Sequence, residues 1–178
     1  MTRRAALLRG VNLGGRKLLM SDLAAICAEL GFEAPRTLLA SGNVVFAAGG
    51  AAANVEAALE AALAQVGLDT DVLVRGGPEL AQVIDANPFG DAMRDQPSHV
   101  LITFHREPFP PHALERLRAM HNGPERLFAT GRELFVDYGG REQMRQSTLL
   151  ASMRKARFPT VATARNWNTV RKLAGMLG

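Results

Sequence analysis

The sequence predicts an α+β protein built from two ferredoxin-like β-α-β-β-α-β units in tandem, the second carrying extra flanking helices. Three observations lead there. Between residues 1 and 76 the chain reads strand, helix, two strands about a turn, helix, strand. Residues 77 to 178 repeat that order with a helix added at each end, although the halves share no obvious sequence. Hydrophobic residues make up 47% of the 178 and charged residues 21%, a globular balance in a chain long enough to bury its cores without disulfide or metal.

In the first unit, Arg4 to Arg9 is an apolar strand followed by the Gly-rich stretch Gly10 to Gly15. Ser21 is the expected N-cap of the first helix, with Asp22 near its positive end. Leu23, Ile26, Cys27 and Leu30 fall on one face, and Gly31 followed by Phe32 predicts a left-handed helix end with a hydrophobic contact beyond it. Thr37 to Ala40 and Asn43 to Ala47 predict a hairpin about Ser41-Gly42-Asn43. Asn54 is expected to cap a second helix bearing Val55, Leu59, Leu63 and Val66, ended by Gly67-Leu68. Asp71 to Arg75 is the closing strand.

The second unit opens with a helix at Pro78-Glu79 that stops before Asn87-Pro88. His99 to His105 reads as a strand, Leu114 and Leu117 mark a helix, and Leu127–Thr130 with Glu133–Tyr138 form a hairpin about Gly131-Arg132. Ser147 is the expected cap of a basic helix ending near Pro159; a short strand at Val161–Ala164 and a helix from Asn166 to Leu177 follow. Several strands are apolar at every position, among them Ala5-Ala6-Leu7-Leu8 and Val72-Leu73-Val74. Both sheet faces are therefore expected to be covered, by the other half, by the extra helices or by another subunit of a homo-oligomer.

Net charge is +4 and very uneven. Residues 1–76 are balanced, residues 77–140 are acidic, and residues 141–178 hold eight basic side chains against Glu142 alone. A single cysteine excludes an internal disulfide and suits a reducing compartment. Arg9 ends the apolar run after Arg3-Arg4 too early for an export signal, and turn residues break the uncharged stretch from Thr37 to Val55, so no membrane span is expected. A cytoplasmic location follows as the expectation.

Four motifs, in order along the chain, carry a resemblance. Leu7-Leu8-Arg9-Gly10-Val11-Asn12-Leu13-Gly14-Gly15, Ser41-Gly42-Asn43-Val44-Val45-Phe46, Asn87-Pro88-Phe89 and Thr163-Ala164-Arg165-Asn166-Trp167-Asn168-Thr169-Val170 make the chain similar to a bacterial family catalogued as domain of unknown function 1697. The resemblance implies a fold of ferredoxin-like halves and implies no activity.

Three candidate sites stand out. The loop Arg9 to Lys17 places Arg9, Asn12, Arg16 and Lys17 among glycines that include Gly14 and Gly15; such loops cradle phosphate on backbone N–H groups, although a tight turn explains the glycines equally. Its spacing fits neither the P-loop nor the dinucleotide fingerprint. Ser41 and Asn43 offer a hydroxyl and an amide, against a plain hairpin turn. Arg165, Asn166, Trp167 and Asn168 offer a stacking ring with flanking amides, against a capped helix start with Trp167 on its buried stripe. A fourth candidate is electrostatic: Arg141, Arg145, Arg154, Lys155, Arg157, Arg171 and Lys172 form a nucleic-acid-binding hypothesis, against a solvated surface paired with the acidic stretch before it.

The histidines show no metal-ligand spacing, and no metal or cofactor is expected. Ser147 and Ser152 have no base nearby in sequence, so whether the protein is an enzyme stays open. RNA-recognition strands would need exposed aromatics, and aromatic content is only 6%. The preferred expectation is a protein that binds a phosphate-bearing ligand, nucleic acid included. An enzyme acting on a small phosphorylated or nucleotide-like substrate is the first alternative. A protein–protein interaction module whose basic end meets an acidic partner is the second.

Overall fold

The computed structural model describes residues 1–12 and 17–178. Two compact units emerge: Met1–Ile84 with Lys172–Gly178, and Asp85–Arg171. The first holds β1 (Thr2–Leu8), α1 (Met20–Glu29), β2 (Glu33–Thr37), β3 (Asn43–Ala48), α2 (Ala52–Gln65) and β4 (Val72–Gly76), with α3 (Gly77–Ala86) following directly. Its antiparallel sheet has the order β2-β3-β1-β4.

The second unit begins with α4 (Gly90–Asp95) and a 3-10 turn at Pro97–His99. It continues with β5 (Val100–His105), α5 (Ala113–Met120), β6 (Arg126–Thr130), β7 (Glu133–Asp137), α6 (Arg141–Gln146), α7 (Leu149–Lys155) and β8 (Ala162–Asn166). Then comes α8 (Trp167–Leu177). Its sheet order, β6-β7-β5-β8, repeats that of the first unit strand for strand, so both are ferredoxin-like.

In the first unit, Leu23, Ile26 and Cys27 of α1 and Val55, Leu59 and Leu63 of α2 pack with Ala6, Leu8, Val44, Phe46 and Val74 from the sheet. Phe32 stacks on Phe46 with centroids 4.6 Å apart. In the second, Leu117 of α5 and Leu149 and Met153 of α7 pack with Leu127, Leu134 and Val136. Alternate positions on β1 are buried as well: Ala5 through Leu8 are all fully inaccessible. Both faces of β1 are thus buried.

Helix ends obey the local rules better than helix starts. Gly31 N donates to Ala28 O and Phe32 N to Cys27 O; Gly67 N donates to Ala64 O and Leu68 N to Leu63 O. Both are the six-to-one, five-to-two pairing expected of a left-handed glycine end. The end of α7 repeats it with Arg157 in the glycine's place, at φ 56°. The predicted N-caps differ. Leu19 rather than Ser21 precedes α1, and Ser21 lies inside the first turn, donating to Asp22 Oδ1. Ala51 rather than Asn54 precedes α2, because the alanines before Asn54 are strong helix formers and extend the helix upstream. Thr148 rather than Ser147 precedes α7, although the Ser147 hydroxyl still accepts from Leu149 N. The strand predicted at Thr37–Ala40 lies upstream instead, at Glu33–Thr37, and Leu39 adopts φ 60° and turns the chain.

Candidate functional site

The Gly-rich loop and the Ser41-Gly42-Asn43 turn, 30 residues apart in sequence, meet at one end of the first sheet. The antiparallel order puts the C-terminal end of β1 beside the N-terminal end of β3. Leu8 N donates to Gly42 O at 2.8 Å. Gly42, at φ 74°, lies so close to Val11 and Leu8 that a Cβ there would collide with both. Asn12, itself at φ 58°, joins the two loops: its Nδ2 donates to Leu18 O (3.1 Å) and Ala40 O (2.6 Å), and its Oδ1 accepts from Leu18 N (2.8 Å). Asn43 is fully buried and donates to Leu38 O and Ser41 Oγ, both at 2.8 Å. The amides of Asn12 and Asn43 therefore build the loops.

Arg9 pairs with Asp71 at 2.8 Å, and its backbone N–H also bonds Asp71 O. Asp71 is accordingly an ion-pair partner of the Gly-rich loop's first cation. Lys17 and Ser41 are exposed. The anion-cradle residues Gly14, Gly15 and Arg16 lie outside the described residues.

In the last motif, Asn166 caps α8 as expected: its Oδ1 accepts from Thr169 N and Thr169 Oγ1, both at 2.9 Å. Trp167, Val170 and Leu173 are buried, forming the anticipated stripe, and Asn168 is exposed. Arg165 is buried too, its Nη1 bonding Thr163 Oγ1 and Ala164 O at 2.8 Å, and burial pulls its guanidinium down to about 10. The Asn87-Pro88-Phe89 motif is explained by packing. Phe89 is buried, with the Arg126 guanidinium 5.0 Å from its ring centroid, and Arg126 also holds Asp91 and Asp137.

The basic residues behave differently. Arg141, Arg145, Arg154, Lys155, Arg157, Arg171 and Lys172 are all exposed. Arg145 pairs with Glu142 one turn away in α6 at 2.7 Å. Among the described residues the other six form no ion pair. Five of the nine acids in residues 77–140 are engaged elsewhere: Asp91 and Asp137 by Arg126, Asp95 by Arg94, Glu115 by His112, Glu125 by His121. The expected neutralisation of the C-terminal cations by the preceding acidic stretch does not occur among them.

Sequence reasoning missed one cluster. His121 Nε2 lies 2.6 Å from Glu125 Oε2, and His121 Nδ1 lies 3.1 Å from Ser152 Oγ. Ser147 donates to the other carboxylate oxygen of Glu125. A serine, histidine and carboxylate in this order are the parts of a hydrolytic triad. Ser152, however, lies within α7, is 7% exposed and also donates to Thr148 O at 3.4 Å. The His121 and Glu125 side chains are only 2% and 1% accessible. A substrate cannot reach them in this conformation. The cluster is a buried polar fastener that ties α7 to the segment 121–125, with Gly123 packed so tightly against the His121 and Glu125 side chains that a Cβ there would collide with both. His121 and Glu125 are four residues apart, but Ser152 lies 31 residues from His121 and Ser147 lies 22 from Glu125, so no local pattern joins the serines to the pair. Cys27 is likewise inert, since burial pushes its thiol up to about 12.

A family model described as protein of unknown function (DUF1697) matches residues 1–135. The fold is similar to that of the conserved bacterial protein SP0830 from Streptococcus pneumoniae, at 21% identity and a TM-score of 0.78 over 99% of each chain. No curated protein matches this chain. Among the described residues no helix is long and apolar enough to cross a membrane, and no cluster of side chains could hold a metal ion.

Proposed function

We propose that this chain, which belongs to the family described as protein of unknown function (DUF1697), binds a phosphate-bearing polymer, nucleic acid, through the cations around the end of α7. One observation carries the reading. Arg154, Lys155 and Arg157 are exposed within four residues and form no ion pair among the described residues, while Asp91 and Asp137 of the same unit are held by Arg126 and Glu142 by Arg145. The negative end of the α7 dipole accounts for Arg154 and Lys155 in the last turn. It does not account for Arg157, which follows the helix in a left-handed conformation that glycine would adopt more readily.

The contacts are to backbone phosphates. Phe104 and Phe135, the aromatics of the central strands, are fully buried, so no stacking platform supports base recognition. With Arg145 held by Glu142, Arg141, Arg154, Lys155 and Arg157 are the exposed cations of α6, α7 and the end of α7 that form no ion pair among the described residues. Four phosphate contacts give a slope of log affinity against log salt of roughly −3 to −4.

Titrating a labelled duplex and a labelled single strand at two salt concentrations tests the reading. The expected result is weak binding at low salt that is indifferent to sequence and fades with salt. Replacing Arg154, Lys155 and Arg157 by alanine should remove most of it. Absence of binding at low salt, or binding untouched by the triple substitution, overturns the proposal.

A further inference from the structure

An outer strand presents unpaired backbone groups to any other strand, and folded proteins blunt such edges. The first unit does so on both sides. On β4 the amides of Val72, Val74 and Gly76 face away from β1, and each donates to a carboxylate: Glu60 and Glu56 of α2 at 2.8 Å, and Glu79 of α3 at 2.9 Å. On β2, Pro35 removes a donor, and a register shift between Glu33 and Arg36 breaks the ladder where Ala34 takes φ 47°.

β6 stands in the second sheet where β2 stands in the first, and it has neither device. It pairs with β7 in unbroken register from Arg126↔Asp137 to Thr130↔Glu133, closed by the two residues Gly131-Arg132. The pair closing such a hairpin is hydrogen-bonded, so Phe128 and Thr130 bond inward while Leu127 and Ala129 turn their N–H and C=O groups outward. Arg118 Nη2, donating to Leu127 O at 2.7 Å, reaches that carbonyl from outside the sheet. Phe128 is a large apolar side chain left 37% exposed, its ring edge-on to Phe135 with centroids 5.7 Å apart.

We propose that β6 is a self-association surface, pairing antiparallel with β6 of a second copy about a twofold axis at Phe128. In that register Leu127 of each copy lies opposite Ala129 of the other, and their outward groups complete hydrogen-bonded pairs. The two Phe128 residues face each other as a non-hydrogen-bonded pair, the kind whose side chains approach most closely. Arg126 falls opposite Thr130, so no like charges meet. Leu127 O keeps a second lone pair beside Arg118. The sequence of β6 is its own complement, and that selects a second copy over an unrelated peptide.

A strand pair of this length buries well under the roughly 800 Å² per partner of standard stable complexes, so the dimer is weak and concentration-dependent. Assembly would bring two α7 surfaces into one particle, a property separate from whether either surface binds nucleic acid. Sedimentation of the full chain without nucleic acid, from about 10 μM to about 1 mM, tests it over the range of weak association. The mass should rise toward a dimer, with hydrogen exchange at the Ala129 amide slowing as concentration rises. Phe128→Lys and Ala129→Pro should both stay monomeric. If Phe128→Lys melts early because it loses Phe135, Ala129→Pro decides, since it removes an outward N–H at an edge position where proline is tolerated and leaves the Phe128 ring in place. A monomeric mass throughout the range, or a dimer that survives both substitutions, overturns the proposal.

Discussion

Glu56, on the buried face of α2, accepts the backbone N–H of Val74 at 2.8 Å across the edge of the first sheet. A carboxylate among apolar neighbours is costly unless bonded, and here it completes a strand that has no neighbour on that side. Glu56→Ala should destabilise the protein by about 1 to 3 kcal/mol, since it leaves a buried amide unsatisfied. Glu56→Gln keeps an acceptor oxygen and should cost distinctly less. Denaturant unfolding of the two variants measures the difference; equal losses would mean that packing, and not the bond, is what Glu56 supplies.

Asn12 should be a structural residue of the two-loop junction. Asn12→Ala removes three hydrogen bonds at a left-handed position and should cost about 1 to 3 kcal/mol. Asn12→Asp keeps the acceptor for Leu18 N but turns an oxygen toward the carbonyls of Leu18 and Ala40, and should be no better tolerated. Hydrogen exchange at the Leu18 amide should quicken in both. Unchanged protection there would remove Asn12 from this role.

Arg157→Gly separates stability from binding. Relief of the left-handed strain, reduced by the greater unfolded freedom of glycine, should raise stability by about 0.5 to 1 kcal/mol. The same change removes one phosphate contact and should lower the salt slope by about 1. A variant that is more stable and binds less tightly is the expected outcome; a more stable variant with full affinity would exclude Arg157 from the surface.

Glu125 gives stability an acid limb. Burial raises its carboxyl, but the hydrogen bonds from Ser147 and His121 outweigh it and hold the group below its ordinary 4.5. A carboxylate whose pKa is lower folded than unfolded contributes stability that is complete above 4.5 and is lost as pH falls through the folded value. Melting points recorded between roughly pH 3 and 6 should fall toward acid, and Glu125→Gln should flatten that fall. An unchanged slope in the variant would place the acid sensitivity elsewhere.

Features governed by a few neighbouring residues were legible in the sequence. Gly31-Phe32 and Gly67-Leu68 end α1 and α2 because a left-handed residue and one apolar contact close a helix locally. Asn166 caps α8 by a bond across three residues. The starts of α1 and α2 lie upstream of Ser21 and Asn54 because these good caps are bypassed by stronger helix formers before them. The short helices α4 and α6, of six residues each, carry too few turns for a hydrophobic period to show.

The sequence by itself determined the order of the strands and main helices, the two ferredoxin-like units, the apolar character of both sheet faces and the concentration of positive charge at one end. Each follows from periodicity, turn chemistry or composition, which act within a few residues. Only the tertiary structure decided that Asn12 reaches Ala40, that Glu56 and Glu60 guard the edge of β4, and that His121, Glu125, Ser147 and Ser152 share one buried network. It also decided which cations go without an acidic partner and which strand edge stays open. Those outcomes depend on strand order and on which side chains the sheet brings together, and a hydrogen bond or ion pair between residues tens of positions apart leaves no mark on the spacing of either.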